Sequence, residues 1–317
     1  MKKICLDLSG SRALGDTIAA TPIIRKLYNS YNQKITLISN FVELFKNNQY
    51  VERVYHTDSI NIDFVKENFL YHNSFYNMGN KDEFGIEMKH NTIDIRQYHA
   101  IKLGMMLGND ELEYDYVPDK YEPIDGLPEK YVLIHPVQTW PSRTWSAENW
   151  VKLTDLLNKR NIHVVSIGKD SSETGFFNVD KPIFNFEIRQ GLNLMNKTTI
   201  SQAWHLINNS IAFVTMDSGL LHLAGTTDSE ILMLGSSIRP EFRLPFRKHT
   251  QTYKQHYISG TCRLSCASDV KYGVKEWNTI QGVPPLIGCL ENKPSFDCHP
   301  TVHSVLHKIE NIIENGK

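Results

Sequence analysis

Three short segments of this 317-residue chain carry side chains that can do chemistry, and each stands between an apolar run and a helical one. The first is Gly15-Asp16-Thr17. A carboxylate at the mouth of a strand-to-helix loop can take a proton from a hydroxyl within hydrogen-bond reach; it can equally cap the helix. The second is His135-Pro136, followed by Trp140-Pro141-Ser142-Arg143-Thr144-Trp145. The planar fork of Arg143 suits a diphosphate, while an arginine stacked between two tryptophans is the structural alternative. The third is Met216-Asp217-Ser218-Gly219-Leu220-Leu221-His222-Leu223-Ala224-Gly225. Unpaired N–H groups at a helix start attract an anion. Gly219 would let a ligand approach the backbone, Ser218 supplies a hydroxyl, and His222 lies one turn further on. A capping Asp or Ser with a buried histidine behind it is the alternative here.

The elements that must position these residues alternate along the chain. Ile4, Leu6 and Leu8 predict a strand, and the helix after Gly15-Asp16 carries Ile18, Ile23, Ile24 and Leu27 inward, with a kink or a short first segment expected at Pro22. Residues 34–39 and Val51–Tyr55 are the next strands, the pattern from Asn61 to Asp94 assigns nothing, and Ile95–Leu107 reads as helix. The breaker-rich stretch Glu122-Pro123-Ile124-Asp125-Gly126-Leu127-Pro128 predicts a linker. After it the alternation begins again: strand 131–134, helix Ser146–Leu157 with Ser146 as N-cap, strand Ile162–Ile167 closed by Gly168, helix Ser201–Ile207, strand Ile211–Thr215, helix Gly219–Gly225 and strand Ile231–Leu234. Two such units predict an α/β chain of two Rossmann-like, doubly wound domains facing a cleft, with ligands outside the carboxyl ends of the strands. The expected division is 1–125, a first Rossmann-like domain; 130–300, a second that includes a Cys-rich segment at 260–299; and a C-terminal helix at 301–317 whose apolar spacing marks a packed core face.

Composition narrows the function. Lys and Arg number 34 against 35 acids, and this near balance, with no basic run, argues against nucleic acid as partner. No window approaches 18 uncharged apolar residues, so no transmembrane segment is expected, and Asp7 cuts the first apolar stretch too short for a signal peptide. The default address is the cytoplasm.

Taken together, Gly-Asp-x-x-x-x-Thr-Pro-x-x-Arg (Gly15 to Arg25), the His-Pro…Arg-x-Trp segment (His135 to Trp145) and Asp-Ser-Gly-x-x-His (Asp217 to His222) resemble the family 9 glycosyltransferases, from about residue 3 to residue 245. The resemblance implies the GT-B fold, a nucleotide-sugar donor in the C-terminal domain with an ADP-sugar, heptose-like, as best guess, and inversion at the anomeric carbon with no cofactor for catalysis. It implies Asp16 as catalytic base with Gly15 and Thr17 beside it. Ser218, Gly219 and His222 correspond to donor phosphate contacts, with Asp217 just ahead of them. Arg143 stands where the family has a cleft lysine, and Glu173 corresponds to a glutamate that contacts the donor nucleoside. The implied acceptor is a hydroxyl on a lipopolysaccharide glycan, reached by peripheral contact with a membrane.

Cys262, Cys266, Cys289 and Cys298 crowd into 37 residues, with His299 beside the last. Four thiols so placed predict a closed tetrahedral site for structural zinc or iron; two disulfides and free thiols are the alternatives. Some protein heptosyltransferases related to the family resemble this chain in carrying a cysteine-ligated iron, which raises a protein hydroxyl as a second class of acceptor. Two other functions stay open at this point: a GT-B epimerase or hydrolase, which would consume donor without acceptor, and a non-catalytic nucleotide-sugar-binding scaffold, in which Asp16 would be silent.

Overall fold

The computed structural model describes residues 2–11, 13–74, 94–137, 143–169, 186–235, 240–248, 254–260 and 299–316. Its frame is two parallel sheets. The first holds β1 (Ile4–Asp7), β2 (Ile35–Ser39), β3 (Val51–His56) and β4 (Leu70–Asn73) in the order β3-β2-β1-β4. The second holds β5 (Val132–Ile134), β6 (Val164–Gly168), β7 (Leu192–Met195), β8 (Ala212–Thr215), β9 (Ile231–Leu234) and β10 (Gln255–Ile258) in the order β10-β9-β8-β5-β6-β7. Every ladder in both sheets is parallel. Strand order reverses at β1/β4 in the first sheet and at β5/β8 in the second. In open α/β sheets such reversal points leave a crevice outside the carboxyl ends of the strands, where ligands bind.

The central strands β1, β2, β5, β8 and β9 are buried throughout, which is why they read as continuous apolar runs. The strands that sequence reading did not find, β4, β7 and β10, are all edge strands with half-buried or exposed residues. An edge strand needs no unbroken apolar run, so Leu-Tyr-His-Asn and Gln-His-Tyr-Ile carry little signal. Helix α3 (Ile62–Asn68), capped by the Asn61 side chain, lies in the same unassigned stretch.

The break expected at Pro22 is a full helix boundary. Helix α1 (Leu14–Ala19) ends at Ala20, and α2 (Thr21–Tyr31) starts with Pro22 in its first turn, where a missing N–H leaves no bond unmade. The Thr21 hydroxyl ties the joint by donating to the Ile18 carbonyl at 2.8 Å. Helix α4 (Ile95–Lys102) is shorter than the 95–107 expected from its pattern, because the chain leaves it at Leu103 and turns through Gly104 at φ +68°. The second half carries α5 (Ala147–Asn158), α6 (Ile200–Asn208), α7 (Gly219–Ala224) and the C-terminal helix Val302–Asn315.

One apolar core runs through the interior of both halves, from Ile4, Ile18 and Ile23 to Leu133, Phe213 and Leu221. A second lies on the other face of the larger sheet, where Val305, Leu306 and Ile309 of the C-terminal helix meet Trp150 and Leu153 of α5. Trp145 stands edge-on to Trp150, with centroids 4.8 Å apart, and donates its indole N–H to the Pro300 carbonyl at 2.9 Å.

Candidate active site

The two halves touch through the starts of α1 and α7. Both contact residues are glycine because there is no room for more. A Cβ on Gly15 would stand 2.8 Å from Cδ2 of His222, and one on Gly219 would stand 3.1 Å from Cβ of Leu14. Asp16 follows Gly15 in the first turn of α1 and is half-buried. It is not the cap of that helix, since Ala13 occupies the N-cap position. Its carboxylate makes no hydrogen bond among the described residues. Burial raises its pKa; Arg243 and Arg143 pull it down, Asp217 pushes it up again, and the balance is upward.

Asp217 sits at the carboxyl end of β8, 2% exposed. Its Oδ2 accepts from Arg143 Nη1 at 3.0 Å and from Arg243 Nε at 3.3 Å. Burial alone would raise this carboxyl, but the two guanidiniums outweigh it and hold the group at about 2. Arg143 is therefore not a surface residue: Trp145 turns into the core, and the arginine turns to Asp217. Arg143 and Arg243 thus bring two guanidiniums to the β5/β8 reversal point, and such groups suit a diphosphate.

Ser218 is the N-cap residue of α7, yet its side chain makes no capping bond. Instead its hydroxyl stands 3.1 Å from His135 Nδ1 and 3.0 Å from Thr215 Oγ1. His135, at the carboxyl end of β5, is kept neutral by burial, at about 3. Helix α7 has only six residues, so its dipole is short, and charge for an anion comes chiefly from the two arginines. His222, in the middle of α7, is buried and likewise neutral, at about 4, and its Nδ1 lies 2.9 Å from the Tyr114 hydroxyl. Thr17 follows Asp16 in sequence but turns away from the cleft: it is fully buried, and its hydroxyl donates to the Ala13 carbonyl at 3.1 Å.

Four residues of this cluster escaped sequence reading. Arg243 is buried and lies close enough to act on both Asp16 and Asp217; its one signal was a charge between Phe242 and Leu244 ahead of Pro245. His99 of α4 donates Nε2–H to the Asp16 carbonyl at 2.9 Å, and its Nδ1 lies 3.1 Å from Ser74 Oγ, which pins the start of α1 to the end of β4. Tyr114 and Arg96 reach the site from the first half, with the Arg96 guanidinium 5.6 Å from the Tyr114 ring centroid. Nothing in the spacing of these four announces a shared site.

Glu173 and the cysteines Cys262, Cys266, Cys289 and Cys298 lie outside the described residues, as does most of the segment 260–299. Among the described residues, no group of three His, Cys, Asp or Glu side chains could hold a metal ion, and no helix is long and apolar enough to cross a membrane. The remaining cysteine, Cys5, is buried in β1, and burial pushes its thiol up to about 12.

Comparison with known proteins adds the following. The sequence profile of glycosyltransferase family 9 (heptosyltransferase) matches residues 87–269, more than half of the chain. Lipooligosaccharide heptosyltransferase 2 of Haemophilus influenzae is 30% identical over 114 residues, which span 33% of this chain and 30% of that protein. The iron-containing dodecameric heptosyltransferase TibC of enterotoxigenic E. coli, in complex with ADP-D-beta-D-heptose, superposes with a TM-score of 0.72 at 13% identity, covering 99% of this chain and 77% of that one. ADP-heptose LPS heptosyltransferase II of E. coli superposes with a TM-score of 0.60 at 16% identity, covering 100% of this chain and 99% of that one. At these identities the two structures speak for the shared GT-B fold alone.

Proposed function

The chain belongs to glycosyltransferase family 9, and from that premise we propose that it transfers a heptose from an ADP-heptose donor to an acceptor hydroxyl, with inversion at the anomeric carbon. The observation that carries this reading is the pairing of Asp16 with the Arg143–Asp217–Arg243 cluster across the contact between α1 and α7. Asp16 offers a carboxylate with no hydrogen-bond partner among the described residues and a raised pKa, both of which favour a general base. Opposite it, Arg143, Ser218, Gly219 and His222 line the reversal point that would take the diphosphate.

In the reaction Asp16 removes the acceptor's hydroxyl proton. The freed oxygen forms its bond to the anomeric carbon as the bond from that carbon to the β-phosphate oxygen breaks. ADP leaves with its growing negative charge met by Arg143 and by His222, the electrostatic contribution that such sites make to a transition state. The ADP-heptose named with TibC and the lipooligosaccharide named with the H. influenzae relative support this donor and a glycan acceptor. Glu173 is assigned to the nucleoside on the resemblance alone.

The test is Asp16→Asn. Transfer should fall by about 100- to 10,000-fold, the usual contribution of a positioned base, while ADP binding stays within twofold or so by calorimetry. Turnover retained in the variant would remove Asp16 from this role, and donor consumed at full rate without acceptor would replace transfer by hydrolysis or epimerisation. We also read Cys262, Cys266, Cys289 and Cys298 as a structural metal site. Their spacing and the iron of TibC support this, and one bound zinc or iron per chain, lost on replacing Cys262 and Cys266, is the expected result of metal analysis.

A further inference from the structure

Tyr114 comes from the extended stretch that leaves the first half of the chain, whereas His222 belongs to α7 in the second. Their rings meet edge to face with centroids 5.5 Å apart at 84°, and the Tyr114 hydroxyl lies 2.9 Å from His222 Nδ1. Both side chains are buried. Among the described residues, Nδ1 is the hydroxyl's one hydrogen-bond partner. Were the phenol to accept from an Nδ1–H, its own hydrogen would be left buried with no acceptor, at the full desolvation cost of an unmade bond. The hydroxyl therefore donates, Nδ1 is bare, and the single proton of the neutral imidazole sits on Nε2.

That nitrogen faces the start of α1: a Cβ on Gly15, the residue before Asp16, would stand 3.4 Å from it. Behind the tyrosine, Arg96 lies over the ring face, and its guanidinium is gripped by both carboxylate oxygens of Asp94. A cation held there draws charge out of the ring and makes the phenol a better donor.

We infer that Tyr114 is a positioning residue that locks His222 as its Nε2–H tautomer, so that a side chain from one half of the molecule makes a histidine of the other half a fixed donor to the departing diphosphate. This rests on reading His222 as a donor-phosphate contact. It makes the anion site incomplete in the second half alone.

Full-length protein labelled with 15N-histidine tests it by NMR, with the His222 signal assigned by its loss in H222Q, and with ADP affinity measured by calorimetry. Wild-type His222 should carry its proton on Nε2. Y114F should move the proton wholly or partly to Nδ1 and weaken ADP by about three- to tenfold, the size of one lost hydrogen bond. H222Q has an amide N–H and no tautomer, so adding Y114F to it should leave ADP affinity within about twofold. A proton on Nδ1 in the wild type overturns the inference without any variant, and so does an unchanged tautomer in Y114F. If ADP binds wild type and Y114F alike, the donor site stands and the role of Tyr114 falls. If wild type binds no ADP at all, the donor-site reading itself fails, whatever the tautomer.

Discussion

Asp16 and Asp217 are the same side chain in two environments that push it in opposite directions. Both suffer from burial. Asp217 touches two guanidiniums and stays ionised at about 2, whereas Asp16 feels the same arginines without a hydrogen bond to either and ends above the ordinary carboxylate range. Two neighbouring acids driven apart in this way suit the proposed division between a base and a fixed counter-charge. Arg243 is the residue that couples them, and its removal has a predictable sign. It lowers the pKa of Asp16, so Arg243→Met should raise it further and keep the base protonated over a wider range. The acidic limb of the kcat/KM profile should then move to higher pH than in the wild type. A limb that moves down or stays in place would show that Arg243 does not act on the base.

At the scale of elements, what matters is that α1 and α7 meet end on, with no side chain between them at Gly15 and Gly219. Helix α1 is short: it stops at Ala20, and α2 begins at Thr21. His99 then holds the Asp16 carbonyl and Thr21 holds the joint. Gly15→Ala tests this contact. Its Cβ would press on Cδ2 of His222 at 2.8 Å, which is overpacking, and a cost of about 1–3 kcal/mol is expected in urea unfolding. Transfer activity should fall more than tenfold, as misplacing a base by about an ångström can do. Unfolding and activity both unchanged would mean that the two helices separate freely.

At the scale of the molecule, the buried histidines His99, His135 and His222 link stability to pH. Burial lowers them to about 4, 3 and 4, while in the unfolded chain a histidine titrates near 6.5. As pH falls below that value the unfolded state binds protons that the fold refuses. Stability therefore falls with falling pH, by roughly 1.4 kcal/mol per pH unit for each group until its folded pKa is reached. Asp217 adds to the loss only below about pH 4. Asp16, raised in the fold, has the opposite sign. The melting temperature should drop steeply between pH 6.5 and 4.5; a flat profile over that range would contradict neutral, buried imidazoles.

Much of this was legible in one dimension. Central strands buried on both faces must be continuous apolar runs, so β1, β2, β5, β8 and β9 were readable from residue type alone. The segments that follow β1, β5 and β8 stood out as well, because the candidate residues they carry, Gly15-Asp16, Arg143 and Asp217-Ser218-Gly219-His222, lie close together in sequence. The edge strands β4, β7 and β10 were not, since half-exposed backbone ladders place little demand on side chains. Nor was it legible that Thr17 turns inward while Arg143 turns to Asp217, or that Arg243, His99, Tyr114 and Arg96 close around the same few atoms. Arg96 and His99 stand three apart on α4, but Tyr114 and Arg243 come from separate stretches of the chain and share no period with them. Their charge state and tautomer depend on which groups burial sets beside them, and only the tertiary structure decides that, because desolvation and hydrogen bonding act across space and not along sequence.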